Sequence, residues 1–195
     1  TFSGLSEARM YRPLLLVTCA LNYAANEALG LDGYQVQGYH LINFLLHLLN
    51  AWLVWGLGCR LLRERESALL AALVFALHPL MSEPVNYISS RSSLLAVLFF
   101  LLAFRFLVRA AEGAASKKTI LCIVLLYLAA LSSKSIAITW PLLGAAYLVL
   151  LAERRPWRLV LLPAFLSLPY LLLTRTIVGK ALLEPVRSHV VQWAT

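Results

Sequence analysis

Seven hydrophobic runs, separated by short polar or charged stretches, account for most of the chain. They cover residues 13–25, 39–62, 68–80, 85–108, 120–131, 136–152 and 159–173. A helix needs roughly 20 residues to cross about 30 Å of hydrocarbon, and the second and fourth runs have that length. The third and fifth runs are shorter, so local thinning of the bilayer would have to make up the difference. The pattern predicts an all-α, polytopic membrane bundle with about six spans, from the second run to the seventh.

The first run, 13–25, is too short to span the bilayer, and a polar, glycine-rich loop follows it. We expect it to form a juxtamembrane, re-entrant helix on the outer leaflet. The single membrane domain then consists of an external segment, 1–38, a transmembrane bundle, 39–174, and an external tail, 175–195. The sequence begins at Thr1 with no leader pattern, and we expect it to be a fragment of a longer chain.

The composition supports a membrane protein. Of 195 residues, 61% are hydrophobic and only 13% charged, whereas soluble domains average about 45–50% and about 25%. These values exclude disordered chains, disulfide-stapled secreted domains and most soluble globular classes. The cysteines are Cys19, Cys59 and Cys122, and their unrelated spacings indicate small core residues rather than a disulfide framework.

The net charge of +8 reflects membrane topology rather than nucleic-acid binding, because the cations flank hydrophobic runs instead of sharing one soluble face. The positive-inside rule places the cation-rich loops in the cytoplasm and the opposite ends on the non-cytoplasmic side. No nucleic-acid partner is expected. Ten cations belong to the cytoplasmic set: Arg60, Arg63, Arg65, Arg105, Arg109, Lys117, Lys118, Arg154, Arg155 and Arg158.

The unusual polar residues fall at the non-cytoplasmic ends of the runs: Tyr11, Arg12, His40, His78, Glu83, Asn86, Arg91 and Lys134. Arg12, Arg91 and Lys134 could together hold a phosphate or pyrophosphate. Arg91 lies in a serine-rich helix start, which favours anions through the helix dipole. Helix capping with a snorkelling arginine is the alternative there. A cation at Lys134, between two hydrophobic runs, needs a partner, an aqueous cavity or an anionic ligand.

A polar stripe runs along the second hydrophobic run. His40, Asn43, His47 and Asn50 lie within about 80° of arc on a helix, so inside a bilayer the stripe must face protein or water. We expect hydrogen bonds between helices for the last three. His40, near the outer surface, is the better functional candidate.

The segment from His78 to Glu83 pairs a histidine with a carboxylate across two prolines. Two ligands do not make a metal site, so no metal residues are assigned and a divalent cation is only an open alternative. The other alternative is that His78 and Glu83 contact a sugar hydroxyl. The sequence contains no paired-carboxylate, Walker-type or Ser/His/Asp signature, so the catalytic residues are unknown.

Several motifs in this order resemble one family. They are Tyr11-Arg12-Pro13-Leu14, Leu21-Asn22-Tyr23-Ala24, Gly38-Tyr39-His40-Leu41-Ile42-Asn43, the run 68–79 ending in His78-Pro79, then Glu83, Arg91 and Leu131-Ser132-Ser133-Lys134. Together they resemble the membrane region of the transmembrane and tetratricopeptide-repeat O-mannosyltransferase-like proteins, a branch of the GT-C glycosyltransferases.

The resemblance implies a polyprenyl-phosphate-linked sugar donor in the membrane and an acceptor on the non-cytoplasmic side. Arg91, Lys134 and Arg12 would then bind the donor phosphate. Tyr11 and Arg12 would shape the entrance, and Tyr11, His40, His78 and Glu83 would contact sugar or acceptor. The Asp pair that supplies the base in the family would precede Thr1, outside this sequence.

Three positions depart from the family pattern. Met81 replaces a second histidine after His-Pro, Ser93 replaces an aspartate, and Ser135 replaces a glutamate. These changes favour a degenerate or repurposed site. The alternative function is therefore a non-catalytic structural subunit of a larger membrane complex, with protein partners on its apolar faces. A transporter is a weaker interpretation, because no repeat symmetry supports it.

Overall fold

The structure, a computed structural model, describes residues 12–113 and 116–172. Tyr11 and the predicted tail, 175–195, lie outside these residues. Within them the chain forms eight α-helices and no β-strand, so the all-α prediction is confirmed. The helices are α1 (Pro13–Ala28), α2 (Val36–Leu61), α3 (Arg65–Leu77), α4 (Ser82–Asn86), α5 (Arg91–Glu112), α6 (Lys117–Ser133), α7 (Trp140–Leu150) and α8 (Arg158–Leu172), with 3-10 helices at Pro79–Met81, Ile88–Ser90 and Ser135–Thr139.

Two to three candidate membrane spans are present among the described residues, compared with the six predicted. Val36–Leu61 and Ile88–Glu112 are each long and apolar enough to cross a bilayer. A third candidate joins α3 to Pro79–Asn86 with a bend of 55°. The remaining predicted spans fall on α6, α7 and α8, which are too short to qualify. The 17 residues of α6, for example, extend about 25 Å.

Local sequence signals set the helix ends. Pro13 occupies the first position of α1, where its missing N–H costs nothing. Gly30, at φ 73°, takes the left-handed position that follows that helix. Ser116 caps α6 by accepting from the N–H of Thr119 at 3.2 Å. Pro79 ends α3, because the residue before a proline disfavours helical backbone.

Helix α5 is the centre of the bundle. It packs against α2 and α6 along much of its length and also contacts α1 and α7. The indole of Trp140 donates to the carbonyl of Phe100 at 3.2 Å, which ties α7 to α5. The largest fully buried apolar side chains come from α2 and α5 to α8: Leu53, Leu107, Ile123, Tyr127, Trp140, Leu148 and Leu159. A residue on either end of α5 is therefore close to several helices at once.

Two details of the sequence prediction need correction. The three thiols at Cys19, Cys59 and Cys122 are half-buried, because they lie on helix faces that neighbours cover only in part, so the core assignment is wrong. Arg105 does not belong to a loop: it lies inside α5, with its guanidinium 5.9 Å from the Trp52 ring on α2.

Candidate functional site

The first turn of α5 brings together the three cations that the sequence placed on one face. This turn begins at Arg91, which Ser92 and Ser93 follow. Arg12, just before α1, donates from Nη1 to Ser92 Oγ at 3.1 Å. Lys134, between α6 and the next 3-10 helix, donates from Nζ to Ser93 Oγ at 2.7 Å. Arg12 and Lys134 thus bind consecutive serines on one helix turn, although they lie 80 and 41 positions away from these serines in sequence.

Arg91 is fully buried and makes hydrogen bonds to two other helices. Its Nε donates to Asn43 Oδ1 at 2.8 Å on α2. Its Nη2 donates to Asn22 Oδ1 at 2.8 Å and to Tyr39 O at 3.0 Å, and its Nη1 donates to Thr18 O at 3.2 Å. A guanidinium has five N–H groups, so four of them are used to join α1 and α2 to α5. This geometry describes a positioning residue, and direct phosphate binding by Arg91 stays a prediction.

Sequence reasoning did not assign the partners of Arg91. Asn22 and Asn26 are buried and lie four residues apart on the mostly apolar α1. Asn26 Nδ2 donates to Gly33 O at 3.1 Å and to Gln35 O at 3.2 Å, which fixes the loop into α2. The i, i+4 pair of amides on one face of α1 was the available signal. It indicates that α1 packs through polar groups on the bundle.

A groove of about 440 Å³ opens beside Lys134, between the first half of α5 and the 3-10 helix that follows α6. At one point of its lining lie Lys134 and Ser93, which are hydrogen bonded to each other. The rest is almost wholly apolar, and the lining includes no carboxylate. The lining residues are Ser93, Ala96, Val97, Phe100, Leu101, Lys134, Ile136, Ala137 and Thr139. The groove thus combines a cation with an apolar channel.

The polar stripe of α2 forms hydrogen bonds between helices, as predicted for three of its members. Asn43 Nδ2 donates to Tyr87 O at 3.2 Å, and Asn50 Nδ2 donates to Leu94 O at 3.0 Å. His47 Nε2 lies 3.0 Å from Ala76 O on α3. These three side chains are buried. They hold α3, α5 and the connecting segment against α2.

The remaining predicted contacts lie around α4 rather than at the first turn of α5. His40 Nδ1 lies 3.5 Å from Val85 O. His78 is exposed and its Nδ1 accepts from the N–H of Leu80 at 3.2 Å, so its ring caps a 3-10 helix. Glu83 is exposed on α4. Tyr11 lies outside the described residues.

No group of three or more His, Cys, Asp or Glu side chains could hold a metal ion within 12–113 and 116–172. Of the three departures from the family pattern, two take part in polar contacts. Ser93 accepts from Lys134, and Ser135 Oγ lies 3.1 Å from Tyr170 Oη on α8. Met81 ends the 3-10 helix that follows His78. Serine at position 93 therefore contacts the cation directly.

Comparison with known proteins finds similarity to protein O-mannosyl-transferases. The chain is 36% identical over 96 residues to TMTC3 of Mus musculus, 34% identical over 133 residues to Tmtc1 of Drosophila melanogaster, and 38% identical over 95 residues to TMTC2 of Homo sapiens. These matches cover 49%, 66% and 49% of this chain. The resemblance drawn from the sequence motifs is confirmed as homology to these GT-C membrane glycosyltransferases.

The chain spans only 10%, 14% and 11% of the length of these three relatives. No family model matches the chain. No solved structure matches it either. The similarity therefore concerns a short part of much longer proteins.

Proposed function

We propose that this chain is the donor-binding membrane part of a GT-C-like glycosyltransferase that uses a polyprenyl-phosphate-linked sugar and an acceptor on the non-cytoplasmic side. The observation that carries the proposal is the apolar groove that begins at Lys134. A polyprenyl phosphate is complementary to this groove, because it carries an anion at one end of a long apolar chain. Homology to protein O-mannosyl-transferases supports a sugar as the transferred group.

Lys134 binds the donor phosphate in this proposal. Its ammonium is half-buried and contacts Ser93 Oγ, a neutral acceptor. Because the groove lining contributes no carboxylate, the positive charge is not compensated there. A cation in so apolar a setting is costly, and an anionic ligand removes most of that cost. The helix dipole of α5, whose N-terminus lies at Arg91, adds positive potential on the same side.

Arg12 and Arg91 support the phosphate site in different ways. Arg12 lies beside Ser92, one residue from the Lys134 contact, and its charge adds to the field at this turn. Arg91 fixes the turn by joining it to α1 and α2. Tyr11, His40, His78 and Glu83 are proposed to contact the sugar or the acceptor.

The proposal extends to topology. We place six spans on α2, α3 with α4, α5, α6, α7 and α8, with α1 as a juxtamembrane helix and the cation-rich helix ends in the cytoplasm. The short spans require a locally thin bilayer. In a cysteine-free background, a thiol introduced by Tyr34→Cys should react with an impermeant maleimide from the non-cytoplasmic side, and one introduced by Arg154→Cys from the cytoplasmic side. Labelling of both from one side would overturn this topology.

Copurified lipid tests the donor site. The full-length protein, purified in mild detergent, should retain an anionic polyprenyl phosphate that is measured by lipid extraction and mass spectrometry. Lys134→Gln removes the ammonium, and we expect about a tenfold or greater loss of bound lipid, since a charge-assisted hydrogen bond contributes about 1.5–3 kcal/mol. Lys118→Gln, on the exposed start of α6, is the matched control and should retain the lipid.

A second variant separates the two ends of the lipid. Val97→Trp places a large side chain in the groove without altering Lys134 or Ser93. We expect it to exclude the apolar chain and to reduce lipid content as well. If Lys134→Gln and Val97→Trp both keep the full lipid content in folded protein, the donor site is wrong. The structural-subunit alternative would then be favoured.

A further inference from the structure

A second cavity lies at the opposite end of α5, where α2, α5 and α7 all terminate. Its volume is about 340 Å³, within the range of about 300–1,000 Å³ that is typical of small-molecule sites. Its lining is polar and charged at the rim and apolar deeper in. The lining residues are Arg60, Leu61, Arg63, Val108, Ala111, Glu112, Tyr147, Leu151, Ala152 and Glu153. The donor groove has no residue in common with it.

Two arginines and two glutamates form the rim as two ion pairs, of which the first is hydrogen bonded and the second is longer. Arg60 Nη1 lies 2.7 Å from Glu112 Oε2, and their side chains are 32% and 50% exposed. Arg63 Nη2 lies 3.8 Å from Glu153 Oε1, with both side chains more than four-fifths exposed. Exposed pairs of this kind contribute about 0–1 kcal/mol. Each charged side chain can therefore leave its partner in the ion pair and bind a ligand at little cost in free energy.

The helix ends add a negative potential to this balanced set. α2 ends at Leu61, α5 at Glu112 and α7 at Leu150, and each helix has residues at its end in the lining. A helix C-terminus presents unpaired carbonyls and the equivalent of about half a negative charge. The cavity therefore attracts a hydrogen-bonding cation through the glutamates and carbonyls. It attracts an anion through the arginines at the same time.

The backbone at Arg63 supports a role for its side chain. Arg63 has φ 56° and is the non-glycine residue with a positive φ among those described. It follows the C-terminus of α2, a position where glycine is the usual residue because a side chain adds strain. An arginine at this point presents its guanidinium at the rim of the cavity.

We propose that this cavity binds the zwitterionic headgroup of an aminophospholipid, with the phosphate against Arg60 and Arg63 and the primary ammonium against Glu112, Glu153 and the helix-end carbonyls. A choline headgroup has no N–H to donate to these acceptors. A purely anionic headgroup leaves the glutamates and helix ends without a cation. The chemistry thus selects ethanolamine-type headgroups over both.

Native mass spectrometry of the full-length protein in detergent tests this selection. The protein is mixed with equal amounts of phosphatidylethanolamine, phosphatidylcholine and phosphatidylglycerol with identical acyl chains. We expect the phosphatidylethanolamine adduct to exceed each of the others about fivefold to tenfold, since tenfold corresponds to about 1.4 kcal/mol. Soluble phosphoethanolamine, tested in the same way, separates a free metabolite from a lipid as the source of the headgroup.

A charge-balanced pair of double variants provides the control. Arg60→Gln with Glu112→Gln removes one charge of each sign from the cavity, and the preference should fall to about half or less, because Arg63 and Glu153 remain. Arg109→Gln with Glu66→Gln makes the same net change at exposed positions outside the lining, and the preference should persist. Equal adducts in the unmodified protein, preference for phosphatidylglycerol, or an unchanged preference in the cavity variant would each overturn the proposal.

Discussion

Arg91→Gln should weaken the attachment of α1 and α2 to α5 more than any other single change at the first turn of α5. The arginine is fully buried, and four of its N–H groups donate to α1 and α2. Glutamine is too short to reach all four acceptors and carries no charge. Asn22 and Asn43 would each lose a charged donor for a buried amide oxygen.

The magnitude follows from the contacts. Hydrogen bonds inside membrane proteins average about 0.6 kcal/mol each, so four give a lower value of about 2.4 kcal/mol. Removing one partner of a buried charged pair costs about 3–5 kcal/mol in soluble proteins. We therefore expect the free energy of unfolding to fall by about 2.5–5 kcal/mol for Arg91→Gln.

Unfolding of the detergent-solubilised protein with increasing sodium dodecyl sulfate, followed by circular dichroism, measures this loss. Arg109→Gln, at the exposed end of the same helix, is the control and should change the free energy by less than about 0.5 kcal/mol. Adding Asn22→Leu to Arg91→Gln should cost less than the two single changes together, because both remove one contact. A loss below about 1 kcal/mol for Arg91→Gln, or strict additivity, would refute the buried network as the element that holds α1.

Three further changes test separate contacts. Gly58→Ala should lower the free energy of unfolding by about 1–3 kcal/mol, measured in the same unfolding assay, because the added Cβ would lie 2.9 Å from Ala68 Cβ. Arg63→Gly should raise it by about 0.5–1 kcal/mol by relieving the positive φ, and any decrease would contradict that reading. Ser93→Asp should pair with the Lys134 ammonium and reduce copurified polyprenyl phosphate about tenfold, whereas the neutral Ser93→Asn should retain it.

The helices could be predicted from hydropathy with good accuracy where the runs were uninterrupted. The run 120–131 lies within Lys117–Ser133, and the run 159–173 matches Arg158–Leu172 to within one residue at each end. The predicted run 85–108 begins earlier in the chain than the helix to which it corresponds, α5. α5 begins only at Arg91, because α4 continues to Asn86 and a 3-10 turn intervenes. A hydropathy average over a long window does not detect such short turns, even though Ser89 and Ser90 interrupt the apolar run there.

The contacts of the site were less predictable than its residues. Arg91 and Lys134 were identified from their charge in an apolar setting. Their different environments depend on tertiary packing, which brings Thr18 and Asn22 to Arg91 across more than 60 residues of sequence. Periodicity shows which face of a helix is polar. It cannot show which other helix supplies the partner, and so it could not separate the positioning arginine from the lysine at the groove.

Ser93 decides how the site at Lys134 is electrically balanced. The family resemblance implies an aspartate at this position, and a carboxylate there would lie where Ser93 Oγ now accepts from Lys134 Nζ at 2.7 Å. Such a pair would neutralise the cation that the groove presents. With serine, the lysine keeps a hydrogen-bond partner that fixes its position but leaves its charge for a ligand. On the proposed function, the absence of an aspartate therefore does not by itself indicate a lost site, because it leaves the charge of the Lys134 ammonium for the phosphate that we propose to bind there.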